Sequence, residues 1–314
     1  RSGQHVGGPV LDRLERALAA RFGLGLAVGL GSGTEALQLG LEALELRPGS
    51  RVAVPALSFF ATVEAVLRAG HQPVFVDVLP QVPLLDPSRV PADVDAVILV
   101  HLFGMRSPAP ELEVPILSDA AQCAGWGHGR PPGVASTLSF YPSKTLAAAG
   151  DGGMLLTDDE GLAVRVRALG WHGQSAPNVH RTLGCTSRLD PIQAAVIEAQ
   201  LPGLDEAVRA RRALADRYDE RVAGLPRAAG DAVHQYVLLS DTRDELAAEL
   251  DEAGVDCGRY YPMPMDAQPV VGGSGRLEDS RCPRAVDFCR RALALPVHED
   301  LLPDEVERIL AVLS

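Results

Sequence analysis

Lysine is almost missing from this chain. Lys and Arg together number 29, and Lys144 is the only lysine. On a solvated surface the two residues are nearly interchangeable, but in covalent chemistry they are not. Guanidinium stays protonated, whereas a desolvated amine loses its proton and attacks carbonyls. A chain that uses Arg elsewhere and keeps one Lys points to a task that Arg cannot perform. Positive charge is also scarce overall, with 41 Asp plus Glu and a net charge of −12. That excludes the basic face a nucleic acid or an anionic membrane would require, though not a small phosphorylated ligand held locally. Cysteine is sparse and odd in number, five in all, at positions 123, 185, 257, 282 and 289, with no C-x-x-C. No disulfide framework follows from that pattern. The longest apolar run, AVILVHLFGM, falls far short of the ~20 residues needed to span a bilayer. The opening RSGQHVGGPVLDRLERALAA is charged and amphipathic rather than a secretory leader. The expectation is a reduced, cytoplasmic, soluble protein.

What is present is an alternation of helices and apolar strands. VLDRLERALAARFG has helical spacing and stops at Gly23. LAVGLGSGT is a strand entering a Gly-rich turn, and TEALQLGLEAL is the helix after it. Further strands are SRVAVPAL, QPVFVDV, DAVILVHLFG, VPILSDA, ASTLSFYPS and GGMLLTDD. These are continuous apolar runs, as expected for a mostly parallel sheet covered on both faces. A long helix from Asp190 breaks near Pro202-Gly203. A strand, a helix and a Pro/Gly-rich loop from Tyr260 to Gly275 follow, then terminal helix. The reading is an α/β domain over 1–204 and a smaller α+β domain over 205–314.

The Gly-rich turn GLGSGTEAL places Gly31, Ser32, Gly33 and Thr34 where a helix begins, a position that favours phosphate. It is not a dinucleotide fingerprint. The glycines read G-x-G-x-G, and the next strand ends without an acidic residue. Asp119 sits just past a buried strand, at the edge where open α/β sheets bind ligands, or else serves as a cap for a short helix holding Gln122. Lys144 follows TLSFYPS in a turn, close behind core residues that can desolvate its amine. A phosphate cradle, an Asp able to pair with a ring N–H⁺ and a lysine able to form an imine together match pyridoxal phosphate. His101, His172 and His298 lack metal-ligand spacing and read as packing or substrate-edge groups. Cys123 has no partner His in its motif and reads as a small buried filler.

Through GSGTEAL, VPALSFFATVEAV, PVFVDV, DAAQ, SFYPSKTLAAAGDGG, SRLDPIQAA, YPMPMDAQP and LALPVHEDL the chain resembles the DegT/StrS family of pyridoxal-phosphate-dependent sugar aminotransferases. The resemblance implies a fold-type-I aminotransferase that forms a homodimer with shared active sites. It implies amino transfer from glutamate or glutamine to a keto group of a nucleotide-linked sugar. It implies that Lys144 forms the imine with the cofactor, that Asp119 pairs with the pyridine nitrogen, and that Gln122 lies near the phenolic oxygen. It sets Phe59 against the ring face and Ser32, Gly33, Thr34 and Ser139 at the phosphate. Thr186 stands where the family has an Asn that reaches across the dimer, and Tyr260 and Asp266 stand where it has histidines. Arg188 is left between a structural role and the nucleotide diphosphate. SFYPSK…GDGG and SFFAT look most like the branch acting on UDP-linked 3-keto sugars. Two alternatives stay open: a dehydratase or lyase on the same cofactor, and a non-catalytic regulatory relative.

Overall fold

The structure, a computed structural model, describes residues 3, 5–126 and 129–313. Helix α1 (Pro9–Arg21) has Pro at its first turn and ends at Gly23, whose φ of 66° lets Leu24 N donate back to Ala19 O at 2.9 Å. The first half then alternates strand and helix: β1 (Leu26–Leu30), α2 (Gly33–Ala43), β2 (Arg51–Pro55), α3 (Ala61–Arg68), β3 (Gln72–Val76). Four strands follow without an intervening α-helix, β4 (Ala96–Val100), β5 (Ile116–Asp119), β6 (Ala135–Ser139) and β7 (Gly153–Thr157). Helix α4 (Glu160–Leu169) starts at Asp159, whose side chain accepts from Leu162 N.

These strands form a seven-stranded sheet in the order β1-β7-β6-β5-β4-β2-β3. Pairing is parallel from β3 through β6, and β7 is antiparallel to both of its neighbours. The strands were expected to be buried on both faces, and β4 and β7 are buried at every residue. One core lies between the sheet and α2, α3 and α4, and a second between the sheet, α1 and α5 (Pro191–Gln200). The hairpin β8 (Gln174–Ala176) and β9 (Val179–His180) lies on the exposed connection before α5.

The expected long helix breaks where its Pro-Gly pair sits. A short 3₁₀ turn at Leu201–Gly203 separates α5 from α6 (Leu204–Asp219). Beyond it, β10 (Tyr236–Leu239) pairs antiparallel with β11 (Ala292–Leu295), flanked by α7 (Arg243–Glu252), α8 (Pro283–Arg291) and α9 (Pro303–Val312). An apolar cluster including Tyr218, Leu250, Leu293 and Ile309 fills one side of this part, while Val237, Phe288 and Ala294 join the core over α2, α3 and α4.

Candidate active site

Segments leaving the carboxyl ends of β1, β2, β4, β5 and β6 meet the segment entering β7 at one edge of the sheet. They enclose a cavity of about 360 Å³. Lys144, Asp119, Gln122, Phe59, Ser32, Gly33, Thr34 and Ser139 all line it. Thr186 does not; it lies exposed, its hydroxyl 2.8 Å from His172 Nε2.

One end of the cavity is built from a helix start. Ser32 is the N-cap of α2, and its side chain accepts from Glu35 N at 3.1 Å. The N–H groups of Gly33 and Thr34 have no acceptor among the described residues, as the first turn of a helix requires unless a ligand supplies one. A Cβ on Gly33 would lie 2.8 Å from Ser139 Cβ, so only glycine lets the Ser139 hydroxyl approach these amides. From behind, Ser187 Oγ accepts from Gly31 N at 3.0 Å and donates to Glu35 Oε2 at 2.9 Å, fixing the turn.

The floor is the end of β5. Asp119 is buried, its Oδ1 accepting from Ala121 N at 3.2 Å and its Oδ2 from the Thr62 hydroxyl at 3.1 Å. The passage after it is a turn, not the short helix that one reading of the sequence allowed. Burial raises the Asp119 pKa, while these two hydrogen bonds and the Lys144 charge pull it back down. Gln122 Oε1 accepts from Phe103 N, and Tyr261, which also lines the cavity, has its ring 6.2 Å from Phe59.

Lys144 sits in a turn after β6, its N–H donating to Tyr141 O at 2.8 Å. Burial lowers the pKa of its amine, and the facing Asp119 opposes that shift. Among the described residues Nζ has no hydrogen-bond partner, and Lys144 is half-buried where it lines the cavity. Cys123 is a buried thiol donating to His101 O at 3.4 Å, outside the cavity lining. His101 is neutral. Ser107 N donates to its Nδ1 at 2.9 Å, which leaves Nε2–H for Ser118 Oγ at 3.0 Å. Burial holds its pKa at about 3.

His101, His234, Gln235 and Tyr261 also line the cavity, and the sequence did not single out the last three. They come from the ends of β4 and the start of β10 and from a loop, far apart in the chain. Of the four, only His101 was read from the sequence, as a packing or substrate-edge group. His172 and His298 lie outside the cavity. Arg188 is packed over the Trp171 ring at 4.5 Å, away from the cavity lining. Among the described residues no group of three or more His, Cys, Asp or Glu is arranged to hold a metal.

The residues present fit pyridoxal phosphate: unpaired amides beside a glycine that a Cβ would block, a buried carboxylate, and an unpaired desolvated amine facing it. Known proteins agree. A protein of Streptomyces venezuelae named dTDP-3-amino-3,4,6-trideoxy-alpha-D-glucose transaminase is 37% identical, over 98% of this chain and 87% of its own. A Geobacillus stearothermophilus protein named pleiotropic regulatory protein is 34% identical, over 99% of this chain and 90% of its own. The crystal structure of S. venezuelae DesV, solved in complex with a ketimine intermediate, superposes with a TM-score of 0.90 at 35% identity, over 99% of this chain and 90% of that one. With the family's pattern matching residues 1–314 and the cavity built from its motifs, the chain belongs to the DegT/DnrJ/EryC1/StrS aminotransferase family.

Proposed function

We propose that this protein is a pyridoxal-phosphate-dependent aminotransferase that places an amino group on a keto carbon of a nucleotide-linked sugar. We favour C3 of a UDP- or dTDP-linked sugar, with glutamate or glutamine as donor. The observation that carries the reading is the solitary Lys144, its amine desolvated and unpaired opposite buried Asp119. When bound, the cofactor supplies an electron sink next to the carbon bearing the transferred nitrogen. The chain's residues do the rest. The α2 amides, Ser32, Thr34 and Ser139 bind the phosphate. Asp119 holds a proton on the ring nitrogen, Gln122 orients the phenolic edge, and Phe59 covers one ring face. Lys144 Nζ, whose charged form burial disfavours, takes up and returns the proton that moves during transfer.

The same reading makes the protein a homodimer with shared sites. Phe59 and Tyr141 are exposed at the cavity, and Leu183 and Ile192 are exposed at 94% and 75% near Thr186. A second copy over this surface would cover them and bring Thr186 toward the neighbouring phosphate cradle. The division into domains at 204/205 belongs to this reading too, supported by the apolar cluster that α6 shares with α7, β10, β11 and α9. The regulatory name of the Geobacillus relative favours a second reading, a non-catalytic sensor. Retention of the only lysine at the site weighs against it.

The test is turnover with L-glutamate and a set of UDP- and dTDP-linked 3-keto sugars, the product read by mass for a new amine. Saturable amine formation supports the transaminase. Loss of the keto oxygen without nitrogen gain would mean a dehydratase, and no reaction of the loaded protein with any donor would favour the sensor.

A further inference from the structure

One wall of the cavity is left over once the cofactor's residues are assigned. The segment Asp231–Gln235 runs into β10 with its backbone tightly held. Ala232 N donates to Gly104 O at 3.0 Å and His234 N to Phe103 O at 3.2 Å. Asp231 accepts from Arg106 N and Ala228 N, and Arg211 and Arg212 donate to the carbonyls of His234 and Asp231. A Cβ on Gly104 would meet Ala232 O at 2.2 Å, so the two segments are pressed together.

The side chains on this pinned backbone are not satisfied. His234 is 6% exposed, and its Nδ1 has no hydrogen-bond partner; Gln235 Oε1 is also buried without one. Both residues line the cavity with Lys144. Buried polar atoms left unpaired are costly, and both residues line one cavity, so a ligand there that completes them fits. The chemistry of that ligand can be narrowed. Gln235 Oε1 only accepts hydrogen bonds, and a neutral imidazole offers one lone pair and one N–H. Groups that both donate and accept satisfy this pair, and hydroxyls do so. A carboxylate brings no donor to Oε1.

We propose that His234 and Gln235 form the sugar-recognition wall of the site, hydrogen-bonding ring hydroxyls of the substrate and holding its keto carbon toward Lys144. This rests on the transaminase reading and adds the residues that select a hydroxylated substrate over a carboxylate. Both act through binding, with no bond made or broken at either residue.

The test uses the full chain loaded with pyridoxal phosphate, as wild type, His234→Ala and Gln235→Ala, with folding checked by thermal melting. Gln235 is the less buried of the two and keeps the test open should the His234 variant misfold. Calorimetry compares UDP-glucose with UDP, and dTDP-glucose with dTDP. The ratio of dissociation constants within each pair is the sugar's own contribution. It is expected to fall about five- to tenfold in the variants, the worth of one net hydrogen bond, with binding of the bare nucleotide unchanged. An unchanged ratio in the variants overturns the wall. So does a changed visible spectrum with an unchanged ratio, which would assign the pair to the cofactor, and so does a wild type with no sugar contribution for either nucleotide. The transaminase reading is tested apart from this, by bleaching of the visible absorbance with L-glutamate, which needs no sugar.

Discussion

Thr62 donates a 3.1 Å hydrogen bond from its hydroxyl to Asp119 Oδ2, inside the first turn of α3 and beneath the cavity floor. Since that hydroxyl has one proton, the 2.8 Å contact with Ser58 must be a bond that Ser58 donates. A chain of two hydroxyls therefore ends on the carboxylate and stabilises its charged form against a burial that disfavours it. Thr62 touches no reacting atom and acts by positioning Asp119. Thr62→Val is expected to lower kcat about tenfold, part of the ~1.5–3 kcal/mol of a hydrogen bond to a charge. KM for the donor should change little, and the pH titration of the loaded enzyme's visible spectrum should move. Ser58→Ala, one bond further back, should do less. A kcat near wild type with an unmoved titration would reduce Thr62 to packing.

Lys144 offers a test by pH. Burial lowers its pKa, so a larger fraction of its amine is neutral at a given pH than for an ordinary lysine. The rate at which the cofactor-free chain is acylated at Lys144 should therefore reach half its maximum below the usual lysine pKa of 10.5. Asp119 opposes the shift, so Asp119→Asn should move the midpoint lower still. As the chain has no other lysine, the modified peptide identifies itself, with only the terminal amine competing. A midpoint at the ordinary value would mean that the amine is not desolvated. Lys144→Arg keeps the charge but not the nucleophile, and should abolish turnover and borohydride-stable labelling while the protein still melts cooperatively.

His101 predicts an acid limit to stability. Its ring titrates at about 3 in the fold, against 6.5 for the free side chain. Between those values the unfolded chain binds a proton that the folded chain refuses. Stability is whole above the upper value and falls as pH drops through the window, by up to ~1.4 kcal/mol per pH unit for one group. His234 and His71, whose pKa values are also lowered by burial, act in the same direction. The urea midpoint followed against pH should therefore fall below pH 6.5, with a shallower slope in His101→Asn. An equal slope in both proteins would remove His101 as a source.

Much of the site was legible because its parts sit in short contiguous motifs. SGT is a helix start, Asp119 ends an apolar strand, and Lys144 follows another, so sheet-edge logic brings them together. The parallel sheet was legible for the same reason, since its strands are unbroken apolar runs. What was hidden depends on distant elements. His234 and Gln235 precede the short strand β10, and their unpaired atoms appear only once Phe103 and Gly104 pack against their backbone. Thr62 reads as one more residue of an amphipathic helix, and nothing in its spacing marks a partner 57 positions away. The exposed hairpin at Gln174–His180 has too few apolar residues to show a strand period.

The contact between Gly33 and Ser139 separates a steric role from a hydrogen-bonding one. Gly33→Ala places a Cβ 2.8 Å from Ser139 Cβ, a clash that must push β6 off the start of α2 or twist Ser139 away. Such overpacking costs about 1–3 kcal/mol, and the cofactor's dissociation constant should rise by roughly ten- to a hundredfold. Ser139→Gly removes both the hydroxyl and the obstructing carbon, so alone it should weaken binding by the loss of a hydrogen bond. If the clash is the mechanism, adding Gly33→Ala to Ser139→Gly should cost much less than Gly33→Ala alone, because the 2.8 Å contact is gone and only the backbone Cα of residue 139, at 3.3 Å, remains close. The two changes would then be strongly non-additive, as contacting residues are. Fluorescence titration with pyridoxal phosphate reads all four proteins. Additive losses would mean that Gly33 matters for its backbone and not for the closeness of Ser139.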